Sequence, residues 1–193
     1  MKMKETYGGI SKGSYSVIVA DPPWFLKKVV RKCRPNQTAA LDYPTMSLEE
    51  IKFLPVQTLA AENSCLFLWT IQKYIEPSFE IMRQWGFKYQ RLLTWDKGNG
   101  MSLFGFHHRT EFVLFGYRGK LEMYPRRPTF PTLISSRSGR HSAKPDEFYR
   151  LAEAFGESRI DLFARKKREG WAAWGNEVES DVVLVDNEFR RAA

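Results

Sequence analysis

The chain has 193 residues, of which 43% are hydrophobic and 27% charged, the composition of a folded protein with one core of ordinary size. No apolar run approaches the ~20 residues that span a bilayer, and two cysteines are too few for a disulfide scaffold or a tetrahedral zinc site. The net charge of +8 and the 15% of aromatic residues favour an anionic, stackable partner such as nucleic acid. Aromatic rings also build cores and charge also aids solubility, so composition alone leaves both interpretations open.

The histidines and the N-terminal segment argue against two further classes of protein, zinc enzymes and secreted proteins. His107, His108 and His141 form neither the zinc-hydrolase nor the zinc-deaminase pattern, so no metal is expected. Residues 1–13 are polar and lack the apolar segment of a secretory signal, which predicts a cytoplasmic protein with a short N-terminal tail.

Strand and helix patterns alternate along the chain. Apolar runs predict strands at residues 15–20, 65–69, 89–95, 110–116 and 159–164. Helical spacing of apolar residues predicts helices after the capping box at Ser47, at 74–85 and at 146–155. Residues 119–140 show no periodicity. The alternation predicts an α/β domain with a largely parallel sheet flanked by helices.

The first predicted strand ends in the sequence Asp21-Pro22-Pro23-Trp24. Ligands of parallel sheets collect at the carboxyl ends of strands. Two prolines remove two N–H donors, so we expect the local carbonyls and the Asp21 carboxylate to face a cavity as acceptors, with Trp24 as a flat surface beside them. This set suits an exocyclic amine on a planar ring, such as adenine N6. The structural alternative is a rigid turn with Trp24 in the core.

Acceptors for both amine hydrogens would make such an amine a better nucleophile. Its lone pair is delocalised into the ring, and hydrogen bonds that favour a tetrahedral nitrogen in the transition state free that pair for in-line attack on a methyl group. The residue pattern therefore predicts methyl transfer to the amine.

Three motifs in this order resemble the MT-A-seventy (MT-A70) family of S-adenosylmethionine-dependent adenine-N6 methyltransferases. They are Ala20 to Trp24, His141 to Pro145, and Asp161 to Glu177. The resemblance covers residues 14–178, the predicted catalytic domain, and leaves 179–193 as a C-terminal tail. The family includes the catalytic subunit of the messenger-RNA adenosine methyltransferase and bacterial and phage DNA methyltransferases; the compact length resembles the bacterial and phage branch.

The resemblance implies a fold and a set of site residues. The fold is a Rossmann-like class I methyltransferase fold, circularly permuted, so that the cofactor-binding strand, 159–164, comes last and no glycine-rich loop is needed. Residues implied to hold the target amine are Asp21, Pro22, Pro23 and Trp24. Residues implied to bind S-adenosylmethionine are Asp21, Lys144, Arg165, Asn176 and Glu177, with Lys144 on the carboxylate of the methionine moiety. Glu177 replaces the amide of some members.

Two basic, non-periodic segments are expected to contact phosphates. The first contains Lys27, Lys28, Arg31, Lys32 and Arg34; the second contains Arg118, Lys120, Arg126, Arg127, Arg137 and Arg140. The glycine-rich segment 97–109 carries aromatic residues and is expected to be a loop that recognises the base or closes over it. A duplex substrate would have to release its adenine from the stack to reach Asp21.

The sequence thus predicts an adenine-N6 methyltransferase that acts on DNA. The same reaction on RNA and a non-catalytic nucleic-acid-binding subunit remain alternatives. Cytosine-N4 transfer is disfavoured because enzymes of that specificity usually carry Ser where Asp21 stands. The small size of the chain favours a homodimer.

Overall fold

The computed structural model describes residues 13–26, 44–103, 105–121, 129–137 and 143–184. In chain order, the strands are β1 (Tyr15–Ala20), β2 (Ala60–Thr70), β3 (Lys88–Leu103), β4 (Phe106–Arg118), β5 (Leu133–Ser135), β6 (Arg159–Leu162) and β7 (Ala172–Trp174). The helices are α1 (Leu48–Lys52), α2 (Ile75–Gln84) and α3 (Asp146–Glu153). None of the described helices is long and apolar enough to cross a membrane.

The seven strands form one mixed sheet in the order β5-β3-β4-β2-β1-β6-β7. The pairs β1–β2, β1–β6, β6–β7 and β3–β5 are parallel, and only β2–β4 and β3–β4 are antiparallel. The predicted α/β class with a largely parallel sheet is confirmed. From β1 the chain first builds the sheet towards β5 and later returns to add β6 and β7 on the other side. The strand order therefore reverses at β1, where ligand crevices form in open α/β sheets.

Both faces of the sheet are covered, which explains the uninterrupted apolar sequence of β1. Ile18 and Ala20 belong to the core on the face of α1 and α2, together with Met82. Val17 and Val19 belong to the core on the opposite face, which also contains Phe148 of α3. A strand buried on both faces needs side chains that are apolar at successive positions.

The short helix α1 starts as its sequence predicts. The Ser47 Oγ accepts a hydrogen bond from the Glu50 N–H at 3.2 Å, and the Glu50 carboxylate accepts one from the Ser47 N–H at 2.7 Å. These two bonds satisfy donors that the first helical turn leaves unpaired. The helix ends at Lys52, three residues before Pro55, whose ring does not fit a helix interior.

Three parts of the fold differ from the sequence expectation. Most of the expected loop 97–109 is strand, because β3 and β4 continue as a paired hairpin. β5 and β7 were not predicted. Each is three residues long and lies at an edge of the sheet, where pairing with a neighbouring strand, rather than local propensity, determines the structure.

The start of the expected C-terminal tail packs on the domain. The side chain of Val182 is buried in the core on the α2 face. Asp181 accepts a hydrogen bond from the Ala173 N–H at 2.9 Å, beside β7. Residues 179–184 therefore contribute contacts to the same folded unit.

Candidate active site

A cavity of about 260 Å³ lies at the carboxyl ends of β1 and β6, where the strand order reverses. Its wall includes four of the five residues that the family resemblance assigns to the cofactor: Asp21, Lys144, Arg165 and Glu177. Asn176 is exposed next to Glu177 and is not part of this wall. Residues from three distant parts of the sequence thus meet at the end of the sheet where β1 and β6 finish.

Four charged side chains form a chain of ion pairs beside this cavity. The Lys144 Nζ lies 2.7 Å from the Asp21 Oδ2 and 3.2 Å from the Glu111 Oε2. The other oxygen of Glu111, Oε1, lies 3.1 Å from the Lys97 Nζ. Glu111 lies at this end of the sheet because β4 runs antiparallel to β2, so β4 joins the sheet where β2 ends. Lys97 lies on β3, next to Asp96, which pairs with Thr110 of β4.

The pKa values follow from burial and from these pairs. Burial alone would lower the pKa of Lys144, but the carboxylates of Asp21 and Glu111 outweigh it and raise that pKa. Burial likewise favours a raised pKa for Glu111, and the ammonium groups of Lys144 and Lys97 reverse the shift and lower it. Lys144 and Glu111 are therefore both charged at neutral pH.

Lys144 is more enclosed than a cofactor anchor on an open wall would be. Its side chain is 10% exposed, and its ammonium also lies 4.9 Å from the centre of the Trp69 ring. An ammonium has three donors, and here two carboxylates and a ring face surround it. In this structure Lys144 fixes Asp21 directly; its contact with a cofactor carboxylate stays a prediction.

The proline carbonyls are already engaged within the chain. The Pro22 carbonyl accepts the Trp24 N–H at 2.8 Å, and the Pro23 carbonyl accepts the Met46 N–H at 3.0 Å. Each oxygen retains one lone pair for a further donor. The Asp21 carboxylate, 31% exposed, is consequently the acceptor that this turn presents most openly.

Trp24 differs from the expected open stacking surface. Its side chain is 6% exposed, and its ring stacks on Tyr74 with the ring centres 5.1 Å apart. Its indole N–H donates to the Trp69 carbonyl at 3.2 Å. The Tyr74 hydroxyl in turn donates to the Phe25 carbonyl. Trp24 thus belongs to the core that holds the Asp21 turn in place, which is the structural alternative considered for this residue.

Asp161 is a site residue for which sequence reasoning assigned no role. It is 7% exposed, lies on the cavity wall and accepts a hydrogen bond from the Tyr149 hydroxyl at 2.9 Å. Burial, with a further contribution from the Asp21 charge, raises the pKa of Asp161 to about 7. The signal in the sequence was an acidic residue in the middle of a short apolar strand, a place where ionisable side chains are rare without a partner.

The backbone beyond β6 and β7 is shaped to line the cavity. Phe163 has a φ of 66°, an uncommon conformation for a bulky residue, and it directly follows β6. The end of β7 approaches this turn closely: a Cβ on Gly175 would lie 2.2 Å from the Ala164 carbonyl oxygen. This contact brings Glu177 to within 3.7 Å of the Arg165 Nε.

The structure tests only part of the expected nucleic-acid surface. Lys27, Lys28, Arg31, Lys32, Arg34, Arg126, Arg127 and Arg140 lie outside the described residues. Arg137 is exposed and follows β5 at the same edge as Asp21. Arg118 is the last residue of β4 and pairs with Ser64 near the start of β2, and Lys120 lies two residues further on, so both lie at the opposite end of the strands. The expectation that this whole segment flanks the site is therefore wrong for these two residues.

A sheet of this topology, with a carboxylate-lined cavity at its point of reversal, is typical of the Rossmann-like α/β class of proteins, which bind their ligands in such crevices. Among the described residues, no three His, Cys, Asp or Glu side chains cluster as metal ligands would. The MT-A70 family model matches residues 15–177, and the chain belongs to that family of methyltransferases. This match confirms the resemblance, the enzyme class and the Rossmann-like fold.

Individual relatives differ in length from this chain. The type II methyltransferase M.MunI of Mycoplasma sp is 27% identical over 208 residues, covering 96% of this chain and 87% of the relative. A putative N(6)-adenosine-methyltransferase MT-A70-like protein of Medicago truncatula is 31% identical over 92% of this chain. The human N(6)-adenosine-methyltransferase catalytic subunit METTL3 is 26% identical over 90% of it. The chain spans only 28% and 30% of the lengths of these two eukaryotic relatives.

Proposed function

We propose that this protein transfers a methyl group from S-adenosylmethionine to the N6 amine of adenine in DNA. The observation that carries the proposal is the position of Asp21. Its carboxylate borders the cavity and is held by Lys144 at 2.7 Å, on a turn that a buried Trp24 fixes. One carboxylate is thus shared between a candidate cofactor cavity and the place where a substrate amine would be received.

The Asp21 carboxylate accepts a hydrogen bond from the adenine amine in this proposal. The remaining lone pair of the Pro22 carbonyl is a candidate acceptor for the second N–H. Both bonds strengthen as the nitrogen becomes tetrahedral and positively charged, so they stabilise the transition state more than the ground state. Lys144 orients Asp21, because the ammonium and the carboxylate are in direct contact.

The cavity residues fit the chemical groups of S-adenosylmethionine, which supplies its methyl group from a positively charged sulfonium. The carboxylates of Asp21 and Asp161 line the cavity and suit a cationic cofactor. Glu177 is an acceptor suited to ribose hydroxyls, and Phe163 adds an apolar surface beside it. Arg165, Asn176 and Lys144 are proposed as further contacts on the grounds of the family motif.

DNA is proposed as the substrate because the match to a type II methyltransferase extends over 96% of this chain. The proposed phosphate contacts are Lys27, Lys28, Arg31, Lys32, Arg126, Arg127, Arg137 and Arg140. RNA is the second candidate substrate, because the adenosine-methyltransferase relatives match over nine-tenths of this chain.

Nucleoside mass spectrometry tests the proposed substrate. The protein is incubated with S-adenosylmethionine and, in parallel, with unmethylated plasmid DNA or an RNA transcript of the same sequence. N6-methyldeoxyadenosine in the DNA sample supports the proposal, whereas N6-methyladenosine in the RNA sample alone moves the substrate to RNA. The absence of both products contradicts the proposed reaction.

Cofactor binding distinguishes the proposed enzyme from a non-catalytic subunit of the same fold. Isothermal titration with S-adenosylmethionine is expected to show binding to the isolated protein. A protein that binds DNA but gives no heat with S-adenosylmethionine would be a nucleic-acid-binding subunit rather than an enzyme.

A further inference from the structure

The hairpin of β3 and β4 projects beyond the sheet as a two-stranded ribbon, residues 97–109. β5 pairs with β3 only over 94–96, and β2 pairs with β4 only over 112–118. Beyond those positions, within the described residues, the two strands pair only with each other, with Leu103 opposite Phe106 at the tip. Every residue from 98 to 109 whose exposure is described is exposed.

Polar contacts hold the base of this ribbon. A free two-stranded ribbon is only marginally stable in water. Here Asp96 accepts two hydrogen bonds from the Arg109 guanidinium, one of them at 2.7 Å from Nε, and a third from the Gly98 N–H at 2.9 Å. Further out, the His107 ring lies 2.9 Å from the Gly100 carbonyl oxygen. The ribbon is therefore fixed at its base, while the two described residues at its tip with a known exposure, Gly105 and Phe106, are exposed.

The base of the ribbon is part of the candidate active site. Lys97 begins the ribbon and pairs with Glu111, which pairs with the same Lys144 that holds Asp21. From Thr110 to Phe106 the strand extends about 14 Å at ~3.4 Å per residue. A substrate that places an adenine at Asp21 thus has the ribbon as its neighbour.

The chemistry of the ribbon suits a nucleic-acid duplex. Residues 97–109 contain no acidic residue, and their two cations, Lys97 and Arg109, pair with Glu111 and Asp96 at the base, so the outer part of the ribbon carries no carboxylate that would repel phosphates. The Phe106 side chain at the tip is 73% exposed, the highest exposure among the large apolar side chains described. A two-stranded ribbon fits the major groove, and proteins that distort DNA insert apolar side chains between base steps.

We propose that the ribbon enters a groove of the duplex substrate and that Phe106 occupies the space that the target adenine leaves when it rotates towards Asp21. This inference rests on the proposed function. Extruding a base costs unstacking and unpairing energy, and a ring stacked on the neighbouring bases offsets part of that cost. We call Phe106 in this role the wedge. It is needed only where the adenine begins paired and stacked in a duplex, whereas the active site is needed for every substrate.

The test compares native plasmid DNA, prepared from a host without adenine methylation, with the same DNA after heat denaturation. We expect Phe106→Ala to lower methyl transfer to native DNA by about tenfold, in line with the loss of one stacked ring, and to denatured DNA by less than about twofold. Phe106→Trp, which keeps a stacking ring, restores transfer to native DNA. Phe53→Ala removes another exposed phenyl ring, beside α1, and serves as the matched control with unchanged transfer to both forms.

Several results overturn the wedge. They are an equal loss on native and denatured DNA, no loss on native DNA, or transfer by the unmodified protein to denatured DNA alone. Sedimentation velocity is run alongside, because a dimer that Phe106→Ala dissociates would assign the ribbon to a protein interface instead. If the unmodified protein methylates neither form, the proposed function fails and the wedge fails with it; failure of the wedge alone leaves transfer by the unmodified protein intact.

Discussion

The ammonium of Lys144 lies 2.7 Å from the carboxylate of Asp21, although 122 positions of sequence separate the two residues. The pair joins the turn after β1 to the segment that leads into α3, and a second carboxylate, Glu111, holds the same ammonium at 3.2 Å. Two negative charges and one buried positive charge therefore share one position at the end of the sheet. The Lys97 ammonium on the far side of Glu111 brings this cluster to electrical balance.

Asp21 is the residue whose loss should affect chemistry most. Asp21→Ala is expected to lower the rate of methyl transfer by at least about 100-fold, the scale of removing one group aimed at transition-state charge. Affinity for DNA, measured by fluorescence anisotropy, should remain close to that of the unmodified protein. Glu80→Ala, which removes a surface carboxylate on α2, is the control with unchanged transfer. An Asp21→Ala protein of comparable activity would contradict the proposed role.

Lys144 should be more important for stability than a surface lysine. Lys144→Met is expected to lower the free energy of unfolding by about 3 kcal/mol, because two carboxylates lose their shared partner. Adding Glu111→Gln should recover part of this loss by removing one of the two charges. The measurement is urea denaturation, with Lys52→Met as the control, because its partner Glu80 is exposed and solvent screens this pair.

The same variants report on the cofactor. If Lys144 also contacts the cofactor carboxylate, Lys144→Met weakens S-adenosylmethionine binding by about 1–3 kcal/mol, the range for losing a charge-assisted hydrogen bond. Isothermal titration gives this number directly. An unchanged dissociation constant would remove Lys144 from the cofactor site and leave it as a residue that positions Asp21.

Trp24 should behave as a core residue. Trp24→Phe keeps an aromatic ring beside Tyr74 but loses the hydrogen bond to the Trp69 carbonyl and part of the ring volume. We expect the free energy of unfolding to fall by about 2 kcal/mol. Tyr74→Phe, which keeps the stack, is the comparison and should cost less. A Trp24→Phe protein as stable as its parent would be inconsistent with a buried, hydrogen-bonded indole.

Asp161 should make the free energy of unfolding depend measurably on pH. Its pKa is about 7 in the folded protein, against an ordinary value of 3.8, so between these values the folded chain retains a proton that the unfolded chain has released. Raising the pH through this window therefore favours unfolding, and the effect is complete once the pH exceeds about 7.

Asp161→Asn isolates this effect because it removes the titrating group and keeps an acceptor for the Tyr149 hydroxyl. Urea denaturation from pH 5 to pH 8 should show the parent losing stability relative to Asp161→Asn as the pH rises. Parallel stability curves for the two proteins would show that Asp161 does not titrate in this range.

The sequence predicted those parts of the fold that local patterns encode. The strands at β1 and β6 follow from short apolar runs that end in polar residues, and α1 follows from the capping box of Ser47. The ribbon was not predicted, because its glycines and clustered aromatics do not alternate in the way that marks a strand. Its structure depends on pairing between β3 and β4, and its exposure depends on where the neighbouring strands end.

The candidate site was predictable where a motif carried it. Asp21, Lys144, Arg165 and Glu177 come from the motifs, and the structure places all four on one cavity. Glu111 carries no local signal, since it reaches the site only through the antiparallel direction of β4. The burial of Trp24 could not be predicted from the sequence either, because a tryptophan after a strand is as suited to a core as to a ligand surface.

The transfer of a labelled methyl group tests the central claim most directly. The protein and its Asp21→Ala variant are incubated with unmethylated DNA and S-adenosylmethionine that carries a trideuterated methyl group, and the digested nucleosides are analysed by mass spectrometry. We expect trideuterated N6-methyldeoxyadenosine with the unmodified protein and its loss with the variant. Label on cytosine, no label on any base, or equal label with both proteins would contradict it.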